Sequence, residues 1–219
     1  MTFAVDEGLI RTNPCFGIKA LYDGDRSEII WLPEELAKLE AVASPEVMWA
    51  TRLAVLTGLR QDDCRGMLWS EVGELAIETE TNKSERARSQ KPKKIALIPM
   101  YGELRELLES IPRRSENVLT NTYGEAWRSG LSDSFADAAK RAGVDKHFND
   151  LRGTAATRLY QAEFPLREIA EIMGWEESSV EKIIKRYVRR DALLRDRIRR
   201  LDENTARMES VKPGVKTGS

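Results

Sequence analysis

A mainly α fold with one small antiparallel β-sheet (α+β) is what this sequence predicts, and three observations carry the prediction. Apolar residues recur at three- and four-residue spacing over most of the chain, between proline and glycine breakers. One stretch changes period: Leu75–Thr79 and Ile95–Ile98 read as two short strands around a basic connection, and Pro99 closes the second. The composition, 41% hydrophobic and 32% charged over 219 residues, suits an ordinary globular chain long enough for one large domain or two small ones.

Each element has its own signal. Residues 1–30 form a lead-in, with a turn at Asn13-Pro14 and a loop at Asp23-Gly24-Asp25. Pro33-Glu34-Glu35 is a helix start, with proline in the first turn and acids at the positive helix end. Leu36, Leu39 and Val42 follow at helical spacing. The next helix spans Pro45–Thr57 with Met48, Leu53 and Leu56 inward, and Gly58 ends it. A short helix covers Gln61–Leu68. Between the two strands, the stretch from Lys83 contains Pro92 and no apolar anchor, which predicts an exposed, mobile connection. Helices are then expected over Glu103–Ser110, Gly124–Ala142, Asn149–Ala162, Leu166–Met173, Ser178–Val188 and Asp191–Ala206. Large apolar residues are scarce after that, so 207–219 reads as a disordered tail. The domain plan is a lead-in over 1–30, a folded domain over 31–206, and the tail.

Charge distribution says more than net charge, which is −1. Lys182 to Arg200 holds nine basic residues against Asp191 and Asp196. Lys83 to Lys94 holds Lys83, Arg86, Arg88, Lys91, Lys93 and Lys94 against Glu85. Acids gather elsewhere, at Glu34, Glu35, Glu71, Glu74, Glu78 and Glu80. Such asymmetry can place a positive face on a near-neutral molecule and suits a polyanion; a solvated helix and a solvated loop would give the same counts. No apolar run approaches the ~20 residues needed to cross a bilayer. Met1–Thr12 lacks the basic start and apolar stretch of a secretion signal, so a cytoplasmic location is expected. Cys15 and Cys64 form no CxxC pattern, which suggests neither a zinc site nor a disulfide framework.

Three segments concentrate chemistry. Thr57-Gly58-Leu59-Arg60-Gln61-Asp62-Asp63 puts an arginine at a helix-to-helix junction, from which it can reach a cleft, with Asp63 able to reach back one turn. His147-Phe148-Asn149-Asp150-Leu151-Arg152 places an arginine one turn past a capping Asn149 or Asp150, and Gly153, Ala155 and Ala156 allow close packing around it. Leu166–Met173, Gly174-Trp175 and Lys185-Arg186-Tyr187-Val188 form two helices about a glycine, which also reads as a helix-turn-helix. Taken singly, each segment is equally a capped or core-facing helix, with Tyr187 sharing a face with Ile183 and Ile184.

Together and in order, these segments resemble the tyrosine recombinases of the phage integrase family over about residues 30–200. In that family a T-G-x-R arginine, a hairpin lysine, an H-x-L-R motif, a G-[HW] pair and a nucleophilic tyrosine follow one another. The matching residues here are Arg60, Lys83 in Thr81-Asn82-Lys83-Ser84, Arg152, Trp175 and Tyr187. The lead-in Gly8-Leu9-Ile10 to Asn13-Pro14 resembles the linker that follows a helical core-binding domain in such proteins, so 1–30 is expected to be a linker or the end of such a domain, otherwise missing from this sequence, ahead of a catalytic domain over 31–206. One position departs: asparagine, Asn149, stands where the family has histidine. His147, the chain's one histidine, lies two residues earlier and so on another face.

The resemblance implies an integrase catalytic-domain fold and site-specific recombination of double-stranded DNA through a covalent 3′-phosphotyrosine. Tyr187 would attack, Arg60 and Arg152 would bind the non-bridging oxygens by bidentate hydrogen bonds, and Lys83 would protonate the leaving 5′-oxygen. Trp175 would donate its indole N–H to the scissile phosphate, and Asn149 a hydrogen bond without acid–base capacity. Arg86, Arg88, Lys91, Lys185 and Arg186 are expected to contact DNA. The phosphotyrosine ester conserves the energy of the cut bond, so rejoining needs no ATP; the sequence has no P-loop motif and no acidic metal cluster, and the expectation is a metal-independent reaction without cofactor. A tetramer on DNA, a monomer when free, and origin in a prophage or mobile element are likewise implied. The apolar stripe Leu193, Leu194, Ile198 and Leu201 suits docking on a neighbouring protomer or on its own domain. A second class stays open: a non-catalytic DNA-binding protein, either a helix-turn-helix regulator or an inactive recombinase remnant.

Overall fold

Ser44 accepts the Val47 N–H at 3.4 Å and Pro45 occupies the first turn, which together start the central helix of the computed structural model. The structure describes residues 2–17, 29–81, 94–178, 180–181, 184 and 198–202. Its elements are α1 (Thr2–Asp6), α2 (Pro33–Glu40), α3 (Pro45–Thr57), α4 (Gln61–Gly66), β1 (Ala76–Thr81), β2 (Lys94–Pro99), α5 (Gly102–Ser110), α6 (Leu131–Arg141), α7 (Leu151–Gln161) and α8 (Leu166–Met173). Short 3₁₀ turns at Trp69–Glu71 and Phe148–Asp150 precede β1 and α7. Among the described residues no helix is long and apolar enough to cross a membrane.

Helix α3 is apolar nearly all round, and it is buried nearly all round, with Val47, Met48, Leu53, Leu56 and most residues between them in the core. It packs against α4, α5, α6 and α7. Helix α2 buries Leu39 and packs on α6, whose Phe135 stacks edge-on between Trp31 and Phe148 with centroids 5.5 and 5.2 Å away. Val42 lies beyond the end of α2 and is exposed.

The two strands pair antiparallel, from Ala76 opposite Pro99 to Thr81 opposite Lys94. The sheet alternates: Ile77, Thr79, Thr81, Ala96 and Ile98 face the core, whereas Glu78, Glu80, Ile95 and Leu97 face out. The continuous apolar run Ile95–Ile98 is therefore only half core. Helix α8 covers the inner face of β2 and also touches α7. The Tyr101 hydroxyl donates to the Leu56 carbonyl at 3.1 Å and ties the exit of the hairpin to α3.

The helix expected over Gly124–Ala142 is shorter, and Leu131 is its first residue. Gly124 and Gly130 take left-handed φ values of 80° and 83°, and Asn121 Oδ1 accepts the Tyr123 and Glu125 N–H groups at 2.9 and 3.0 Å. This side-chain turn competes with helix for the same backbone donors and wins. Helix α4 likewise stops at Gly66, before Leu68. Cys15 is exposed, Cys64 is buried, and both are free thiols. The basic connection 82–93, the tail and most of the stretch around Tyr187 lie outside the described residues.

Candidate active site

Gly58 ends α3 in the left-handed conformation, φ 69°, and so turns its carbonyl towards α7. Arg152, on the first turn of α7, donates from Nε to that carbonyl at 2.9 Å. Its guanidinium also lies over the Trp175 ring, with Cζ 4.4 Å from the centroid. A hydrogen bond from one helix end and a ring from another thus fix the plane of a half-buried cation.

Two residues after Gly58, Arg60 immediately precedes α4 and pairs with Asp63 at 3.7 Å. The Asp63 side chain is 1% exposed and that of Arg60 29%, so the pair joins the core to the surface. Beneath them, burial pushes the Cys64 thiol well above its ordinary range; the Asp63 charge adds to this, and Arg152 opposes it. Arg152, from α7, therefore reaches the same α3–α4 junction that carries Arg60, 92 positions earlier in the sequence.

Helix α8 ends at Gly174, again left-handed with φ 61°, and Trp175 follows. A Cβ at Gly174 would lie 2.9 Å from Thr81 Cγ2, so the Trp175 turn sits against the end of β1, two residues before Lys83. Met173 closes on Gly58 from the same helix end: a Cβ on Gly58 would lie 2.2 Å from Met173 Cε. Gly58→Ala is expected to cost about 2–4 kcal/mol, from left-handed strain plus overpacking. Chemical denaturation checks this, and a loss below about 1 kcal/mol would show that the junction relaxes.

Asn149 is exposed on the 3₁₀ turn that leads into α7. His147 is exposed too, and its backbone is structural: its N–H donates to Asp150 Oδ2 at 2.6 Å. Asp150, not Asn149, is therefore the residue that braces this turn. Lys83, Arg86, Arg88, Lys91, Lys185, Arg186 and Tyr187 lie outside the described residues. Upstream of Tyr187 in sequence, Val180 and Ile184 are helical and buried. The sequence marked Gly58 only as a helix stop and Met173 only as the last residue of a helix. Their part in the site depends on a contact between segments more than a hundred positions apart.

The fold is that of integrase catalytic domains. Over 83% of this chain it superposes on 55% of a lambda integrase chain, from a dimer bound to a COC′ core site, with a TM-score of 0.64 and 23% identity. Lambda integrase from a tetramer bound to a Holliday junction gives 0.63 with 24% identity, covering 82% of this chain and 55% of that one. The phage integrase family profile matches residues 33–192, and the chain belongs to that family, the tyrosine recombinases. A tyrosine recombinase XerC-like protein of Caldanaerobacter subterraneus subsp. tengcongensis is 27% identical across 85% of this chain. The chain spans 59% of that relative's length.

Proposed function

We propose that this chain carries the strand-cleaving and rejoining activity of a site-specific DNA recombinase. Tyr187 Oη gives up its phenol proton to water as it attacks the scissile phosphorus, a 3′-phosphotyrosine bond forms, and the 5′-oxygen leaves with a proton from Lys83. The freed 5′-hydroxyl of the exchanged strand reverses the step and releases the tyrosine. The observation that carries the proposal is the meeting of two arginines at the α3–α4 junction: Arg60 belongs to it, and Arg152 reaches it from α7, held by the Gly58 carbonyl and stacked on Trp175. Two always-charged planar donors suit the non-bridging oxygens, whose charge redistributes in the transition state, and prior orientation reduces what is lost on binding them. Trp175 serves first as the platform for Arg152, and also as a donor to the phosphate.

Double-stranded DNA is the substrate, and Arg86, Arg88, Lys91, Lys185 and Arg186 contribute phosphate contacts. Four protomers assemble on two duplexes, a proposal supported by the fold shared with the lambda integrase tetramer on a Holliday junction; the free chain is a monomer. The domain limits 31–206, the lead-in, the tail and the mobile-element origin belong to the same proposal.

The test is covalent trapping. Wild-type protein is incubated with a pool of nicked duplexes carrying a randomised core, and adducts are resolved under denaturing conditions. A DNA–protein adduct is expected. Binding of the same pool without any adduct would instead support the non-catalytic DNA-binding alternative, which Asn149, lacking acid–base capacity, favours. Asn149→His adds a group with an ordinary pKa near 6.5 and is expected to preserve or raise adduct formation, by up to roughly 100-fold. A fall of more than about tenfold would show a pocket built around asparagine.

A further inference from the structure

Trp31 is 2% exposed and precedes the first helix of the domain, yet its polar contacts reach the turn and helix that carry Asn149 and Arg152. Its backbone N–H donates to Thr154 Oγ1 at 2.8 Å, two residues past Arg152. Its indole N–H donates to the His147 carbonyl at 3.2 Å, two residues before Asn149. Its ring meets Phe135, which meets Phe148, the neighbour of Asn149. Lys146 reinforces the same seam, donating to the Ile30 carbonyl at 2.7 Å and pairing with Glu35. Glu35 in turn accepts the Leu32 N–H at 2.7 Å.

We propose that Trp31 is a positioning residue, which sets the distance and angle between the Asn149 turn and Arg152 by gripping the chain on both sides of them. The proposal rests on the reading that Asn149 and Arg152 serve the reacting phosphate. A core tryptophan needs only its ring buried. Here two donors, one backbone and one indole, hold the 147–154 segment at both ends. The entering segment, residues 29–32, is consequently bolted to the site, and a displacement of that segment would move Asn149 and Arg152.

Three variants separate positioning from packing. Trp31→Phe keeps an aromatic ring on Phe135 but removes the indole donor; Thr154→Val removes the hydroxyl acceptor, and Thr154→Ser retains it. In Trp31→Phe and Thr154→Val, amide exchange across residues 146–152 is expected to speed up roughly tenfold, while β1 and β2 stay as in wild type. Adduct formation on the nicked pool is expected to slow roughly tenfold with DNA affinity held within about twofold, and Thr154→Ser is expected to match wild type. Unchanged exchange at 146–152 overturns the proposal. So does a rate loss that only tracks the folded fraction, or equal impairment of Thr154→Ser and Thr154→Val. Should wild type bind DNA and yield no adduct, the recombinase function fails, and the exchange data alone decide whether Trp31 sets the turn.

Discussion

Tyr187→Phe is expected to bind DNA as tightly as wild type and to form no covalent adduct. The substitution removes one oxygen, the atom proposed to bond to phosphorus. Affinity comes mainly from basic residues on backbone phosphates, which it leaves alone. Loss of a nucleophile costs on the order of 10⁴-fold or more, so the adduct should fall to background. Denaturing electrophoresis of end-labelled nicked DNA reads this, and mass analysis of the wild-type adduct assigns the modified peptide. An adduct that survives in Tyr187→Phe would place the nucleophile elsewhere. Tyr101 is a poor substitute: its hydroxyl donates to the Leu56 carbonyl, and burial pushes its pKa up to about 12. Its phenolate is therefore scarce at neutral pH.

Arg152→Lys should be the second largest loss although the charge is conserved. Lysine is a point charge without a planar fork. It cannot offer Nε to Gly58, lie flat on Trp175 and still meet a phosphate with two parallel donors. Arg152 makes the first two contacts at 2.9 Å and 4.4 Å. By analogy with the loss of one oxyanion donor, about 3 kcal/mol of transition-state stabilisation should go, slowing single-turnover cleavage on the order of 100-fold. DNA affinity and its salt dependence should hardly change, because one positive charge remains. Cleavage within about threefold of wild type would show that Arg152 acts through charge alone.

Much of the fold was legible locally. Helices α2, α3, α5 and α8 start and stop close to where proline, acid and glycine signals put them. Helix α6 was overextended because the apolar spacing continues upstream of Leu131, whereas Asn121, Gly124 and Gly130 commit that backbone to turns. The strand limits moved by a few residues, since pairing with a partner decides where a strand ends. At the site, Arg60 and Arg152 were legible as motifs, and so was the departure at Asn149. The roles of Gly58, Met173 and Trp31 were not, because nothing near them in sequence marks them as more than a cap, a core residue and an aromatic ahead of a helix.

Periodicity, breakers and motif order by themselves determined the mainly helical class, the β1–β2 hairpin and the succession Thr57–Arg60, Asn149–Arg152 and Gly174-Trp175. Tertiary structure alone decided that Arg152 bonds a carbonyl 94 positions away, that Trp175 lies under it, and that Trp31 holds Thr154 across 123 positions. Local signals reflect backbone preferences within a turn or two of chain. The distances that orient a guanidinium arise from α3, α7 and α8 packing against one another, and no short window of sequence contains all three.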